Sequence, residues 1–125
     1  MTRAFCDRLE RVGPRYNALV LSLRDSAVKK AKDVDSDLKI DRTRGPLQGI
    51  PFGVKDLLAV KGHPTTWGAK PYAEQVFDED APVIEKLKKT GAILIGKLSM
   101  VELAGGGGYR YANACLLYTS PSPRD

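Results

Sequence analysis

The residue in this sequence best placed to do chemistry is a lysine that closes an apolar run. Lys55 follows Ile50-Pro51-Phe52-Gly53-Val54 and precedes Asp56-Leu57-Leu58. Burial disfavours an ammonium, so a lysine held in such surroundings can lose a unit or several of pKa and act as a base or nucleophile near neutral pH. On position alone the more ordinary use is a lysine whose alkyl stem lies along the strand while its amine reaches water. Position alone leaves both uses open. Asp56 comes next, and adjacency in a strand sends the two side chains to opposite faces. Pairing with Lys55 or capping nearby amides are the uses open to it, and the opposed faces favour a structural role over a second catalytic one.

Other candidates are weaker. His63 is the only histidine, and it sits in the turn Gly62-His63-Pro64 with no acidic or cysteine company, so a Ser-His-Asp or metal site has nothing to build on. Cys6 and Cys115 are far apart and lack metal-ligand partners, which argues against a zinc site or a disulfide framework. Gly105, Gly106, Gly107 and Gly108 form a glycine run, but it follows a helical pattern instead of opening one. It also lacks the Gly-Lys-Ser or Gly-Lys-Thr ending that a phosphate loop needs. A flexible pocket wall suits it better. No cofactor or metal is expected.

These groups need a frame to hold them. Phe5, Leu9 and Val12 recur at helical spacing between Thr2 and Val12, and Gly13-Pro14 stops that helix. Asn17 to Leu23 reads as a short strand, followed by a helix capped by Asp25 or Ser26 with Ala27, Val28, Ala31 and Val34 inward. Asp35 to Gly45 is polar and reads as a surface connection. A turn then enters a buried strand near Ile50 to Val54, and Trp67 to Phe77 has no clean period. Asp80 is positioned to cap a helix with Pro82 in its first turn, Val83, Ile84 and Leu87 inward, and Gly91 at its end. Ala92 to Gly96 is the next strand. Strand, helix and strand at this spacing form a βαβ crossover, so the fold class is α/β, a sheet covered by helices. Ser99 and Glu102 have capping-box spacing, which predicts a short helix over 99–104.

The whole composition sets limits on function. With 125 residues, 42% hydrophobic and 28% charged, the chain fits one soluble globular domain and is short for a complete catalytic machine. The net charge of +5 comes from bases interleaved with acids, as in Lys29, Lys30, Lys32, Asp33, Asp35 and Asp37, which is how a solvated helix face reads. A small basic binding module, or a non-functional truncated reading frame, is the alternative to an enzyme. The cysteine usage and the lack of an apolar signal or span predict a cytoplasmic protein. Cys115 to Asp125 follows no period and ends in Ser-Pro repeats, so the domain is expected over 1–114 with a non-native or disordered tail over 115–125.

One stretch carries a resemblance. Gly45-Pro46-Leu47-x-Gly49-Ile50-Pro51-x-Gly53-Val54-Lys55-Asp56 is similar to the first conserved block of amidase signature enzymes. The similarity continues through Lys61-Gly62-x-Pro64-Thr65-Thr66-x-Gly68, Asp80-Ala81 and Gly91-Ala92-x-Leu94-x-Gly96-Lys97. Leu98 to Ala104 with the glycines behind it looks most like the A-type subunit of aspartyl/glutamyl-tRNA amidotransferases. The resemblance implies the N-terminal part of that family's fold, truncated, and a mixed sheet. It also implies a Ser, cis-Ser, Lys triad in which Lys55 is the lysine, with Gly105 to Gly108 beside the substrate. A small-molecule amide would be the substrate, with amidotransferase subunits and tRNA as partners if the parent is of the A type. Both serines belong to a Gly-Gly-Ser-Ser-Gly region expected after Ala114 and absent here. Ser99, Ser120 and Ser122 do not match it, so the chain as given is expected to be inactive.

Overall fold

The computed structural model describes residues 1–105. Helix α1 spans Thr2–Val12, and its inner stripe is Thr2, Cys6 and Leu9, one turn apart as helical geometry requires. Phe5, expected to face inward, is 50% exposed, because the stripe turns on Cys6 instead. Pro14 continues the chain as a 3-10 turn, and Asn17 closes it in the left-handed region at φ 48°, a conformation asparagine tolerates. Strand β1 follows at Leu19–Ser22.

Helix α2 spans Arg24–Lys39, so half of the expected surface connection is helix. Its stripe of Ala27, Ala31 and Val34 is continued by a carboxylate, buried Asp37. Arg44, from the segment that follows, forms an ion pair with Asp37 and satisfies that carboxylate. Asp25 and Ser26 lie inside the first turn and do not cap it; the cap position is Leu23, whose carbonyl oxygen accepts from Ser26 Oγ at 2.9 Å.

Strand β2 spans Pro51–Lys55, helix α3 Pro82–Lys89 and strand β3 Ile93–Leu98. β2 and β3 pair in parallel across α3, which is the expected crossover, and β1 pairs antiparallel with β3 to give the order β1-β3-β2. The segment leading into β2 runs against the α3–β3 turn: Leu47 N–H donates to Thr90 O and Gly49 N–H to Gly91 O, both at 3.0 Å. Only glycines allow this approach. A Cβ on Gly91, at φ +86°, would lie 2.8 Å from Gln48 Cα, and one on Gly45 would lie 2.8 Å from Thr90 backbone.

The sheet is covered on both faces. Successive residues of β3 alternate between two cores: Ile93 and Ile95 pack with Cys6, Ala27 and Val34, while Leu94 packs with Leu23, Val54, Val60 and Ile84. Burying a side chain of this size contributes roughly 2–3 kcal/mol, as for fully buried Ile84. Val83, expected beside it, is 45% exposed, because α3 is short and turns Ile84 and Leu87 toward the sheet. Asp80 does not cap α3 either. The cap position is Ala81, and Asp80 instead accepts Lys61 N–H at 2.9 Å and pairs with Lys88 at 2.5 Å.

Candidate active site

The site lies where β2 ends, and its shape depends on one extra residue in β3. Phe52 pairs with Leu94, but the next β2 residue, Gly53, pairs with Gly96, so Ile95 has no opposite number. Such a bulge inserts a residue and re-aims the side chains beyond it. Ile95 belongs to the α1/α2 core. A Cβ built on Gly96 would also point to that side, 3.1 Å from Leu9. Lys97 is thereby returned to the α3 side, opposite Val54.

Val54 lies two residues before Asp56, so the bulge brings Lys97 to that carboxylate. Lys97 Nζ stands 2.8 Å from Asp56 Oδ1 with both side chains fully buried. The ammonium also donates to Pro64 O at 2.5 Å and Thr65 Oγ1 at 2.6 Å. Asp56 Oδ2 accepts from Thr66 N–H at 3.1 Å and from the Thr66 hydroxyl. Oδ1 has the nearby charge but no well-aligned hydrogen bond. Burial pushes the Lys97 amine below the ordinary lysine value, and the adjacent Asp56 carboxylate pulls it only partly back.

Lys55 occupies the other face. Its side chain is exposed, and Nζ donates to Ser99 O at 2.8 Å. The sequence places Lys55 correctly at a strand end, but the lysine enclosed by the fold is Lys97. Ser99 is no helix cap. It is buried, its N–H donates to Ala18 O at 3.0 Å, and the chain makes only a 3-10 turn at Glu102–Ala104 with Val101 at its cap. The capping box fails because the Ser99 backbone is already engaged by Ala18 and Lys55.

The turn after β2 joins these parts. Trp67 N–H donates to Asp56 O at 3.2 Å, and Trp67 O accepts Leu103 N–H at 2.8 Å. Gly68, at φ +67°, comes so close to the next segment that a Cβ would sit 2.8 Å from Met100 O. Trp67 stacks near Tyr72 and Phe77, with ring centroids 4.9 and 6.1 Å away. His63 stands apart, half-exposed in its turn. Of the glycine run only Gly105 is described, exposed after the 3-10 turn; Gly106, Gly107, Gly108 and the tail over 115–125 lie outside the described residues. Among those described, no group of three or more His, Cys, Asp or Glu side chains could hold a metal.

Sequence pattern alone passes over Lys97. A signal is nevertheless present: a lysine inside Ala92-Ile93-Leu94-Ile95-Gly96-Lys97-Leu98, where a charge is costly without a partner, and an aspartate at the end of the other apolar strand.

The arrangement is that of α/β chains in which parallel strands deliver functional groups to their carboxyl ends, the edge at which ligands meet such sheets. The amidase family model matches residues 1–114, and the chain belongs to that family. It is 34% identical over 108 residues to an acylamidase of Rhodococcus erythropolis, covering 86% of this chain and 23% of that protein. It is 39% identical over 106 residues to the A-type subunit of the glutamyl-tRNA(Gln) amidotransferase of Clostridium botulinum, covering 85% and 22%. The crystal structure of native peptide amidase from Stenotrophomonas maltophilia superposes with a TM-score of 0.73 at 32% identity, over 88% of this chain and 23% of that one. The chain thus spans less than a quarter of the length of these relatives.

Proposed function

We propose that Lys55 is the general base of an amide-cleaving relay. In this relay Lys55 Nζ takes a proton from a bridging serine, which takes the proton of a nucleophilic serine as that oxygen attacks the amide carbon. The carbon–nitrogen bond breaks, the proton returns to the leaving amine, and water or a second acceptor releases the acyl group. What supports this reading most is one observation. Lys55 ends a parallel strand with its side chain exposed on the face opposite the buried ion pair, and Ser99 O fixes one of its N–H groups.

The two serines belong to the Gly-Gly-Ser-Ser-Gly pattern, which does not occur in this sequence. On this reading the chain alone has no nucleophile and cleaves no amide, and the activity belongs to a longer protein with Lys55 in it. Its substrate is a small-molecule amide. If that protein is the A-type component of an amidotransferase, its partners are the companion subunits and a tRNA. The setting is the cytoplasm.

Amide hydrolysis by the full-length protein carrying this chain provides the test. Lys55→Ala is expected to lower kcat by about 10³-fold, within the range for a lost acid-base group, and the 125-residue chain to show no turnover. A Lys55→Ala enzyme of undiminished kcat overturns the assignment.

A further inference from the structure

We propose that Lys97, through its buried contacts with Asp56 and Thr65, is a positioning residue for Lys55. This rests on Lys55 being the base.

Stability is a poor explanation for such a pair. Burying two charges costs several kcal/mol each, and apolar residues of the same volume often serve a core equally well. What an ion pair adds is direction. The Lys97 ammonium, carried on β3, contacts three separate points: the Asp56 carboxylate just past β2, Pro64 O and Thr65 Oγ1. Asp56 holds the same turn a second time through Thr66, and Thr66 Oγ1 accepts Gly68 N–H at 3.2 Å.

From that turn the contacts reach the acceptor of Lys55. Gly68 lies against Met100 O, Trp67 O holds Leu103 N–H, and Ser99, whose carbonyl holds Lys55 Nζ, is the residue before Met100. Lys55 itself is peptide-bonded to Asp56, whose N–H donates to Leu98 O at 2.9 Å. The network thus grips both ends of the Lys55–Ser99 contact, the strand end bearing the amine and the segment bearing the carbonyl. The bulge at Ile95 makes this possible, since unbroken alternation would turn Lys97 to the α1/α2 side. Lys97 has no path to substrate of its own, being fully enclosed on the far side of the sheet.

A double-mutant cycle in the full-length protein tests the proposal. Lys97→Met with Asp56→Leu removes both charges together, so neither is left buried alone. The expected result is a kcat lowered by about 30-fold with KM changed less than about twofold, the signature of lost transition-state placement without lost binding. In a Lys55→Ala background the same pair of substitutions is expected to change kcat by less than about threefold, because a residue acting through Lys55 has nothing left to position.

Equal losses in both backgrounds, or an unchanged kcat, overturn the proposal. Should the paired variant fail to fold, Thr65→Val, which keeps the ion pair and the side-chain shape, replaces it in the cycle. It is expected to cost about fivefold in kcat with Lys55 present and nothing without it; no loss with Lys55 present overturns the proposal. Failure of Lys55 as the base looks different, as undiminished activity of Lys55→Ala alone.

Discussion

The two faces of the sheet at the end of β2 hold lysines under opposite conditions. On one face Lys55 is exposed and its amine donates to a carbonyl. On the other Lys97 is sealed, with a carboxylate and two further acceptors around its amine. Both lie within apolar strands, Lys55 as the last residue of β2 and Lys97 one residue before the end of β3. The difference arises from register. One unpaired residue in β3 decides which face receives Lys97, and a charge sent there survives only because Asp56 and the turn after it meet it. Burial of a lysine and availability of a lysine are thus assigned to different residues of one motif.

Breaking each side separately gives the largest contrast. Lys97→Met leaves Asp56 as an uncompensated buried carboxylate and is expected to destabilise the protein by about 3–5 kcal/mol. Lys55→Met removes an exposed amine and one hydrogen bond, with an expected cost of about 1 kcal/mol or less. Urea unfolding of the two variants beside the parent measures the difference. Similar costs for both would mean that the burial contrast does not govern stability here.

The glycines sharpen the same comparison at a smaller scale. Gly68 and Gly62 both have positive φ, +67° and +74°, but Gly68 has Met100 O where its Cβ would be and Gly62 has nothing within 4 Å. Alanine at Gly62 should cost the left-handed backbone penalty alone, about 1–2 kcal/mol. Alanine at Gly68 should cost at least about 1 kcal/mol more, since the clash is with backbone that cannot swing away. Because Gly68 presses on the segment that carries Ser99, its substitution should also lower kcat, whereas Gly62→Ala should leave kcat unchanged.

Much of the frame could be read from the residues. Periodicity and the glycine and proline positions placed both parallel strands, the crossover helix and the strand-end location of Lys55, because each depends on local pattern. What could not be read were features set by distant partners. The continuation of α2 to Lys39 depends on Arg44 meeting Asp37. β3 continues past Gly96 because Lys97 finds Asp56 and Thr65, whereas a charge after an apolar run reads locally as its end. The capping spacing of Ser99 and Glu102 is genuine as a pattern, but Ala18 and Lys55 claim the Ser99 backbone first. The bulge at Ile95 has no mark in the sequence except Gly96, and a strand glycine signals a bulge or close packing equally well.

A second aspartate–lysine pair allows the smallest and most direct test of burial as the controlling variable. Asp80 and Lys88 are 2.5 Å apart, with side chains 15% and 42% exposed, against zero for Asp56 and Lys97. Burial pushes the Asp80 carboxyl up, but Lys88 and the Lys61 N–H together outweigh it and hold the group below the ordinary aspartate value of 3.8. A carboxyl with a depressed pKa in the folded state contributes stability that is complete above its unfolded value and disappears as pH falls through the folded one. Asp80→Asn should therefore cost about 0.5–1 kcal/mol near neutral pH, reduced by solvent screening at Lys88, and the gap between variant and parent should close as pH drops below 3.8. Thermal melts of both proteins across that range, at low and high salt, measure the gap. It should also shrink in high salt, as a half-exposed pair is screened, while the cost of Lys97→Met should hardly move. A salt-independent Asp80 effect as large as that of Lys97 would mean that burial is not what separates the two pairs.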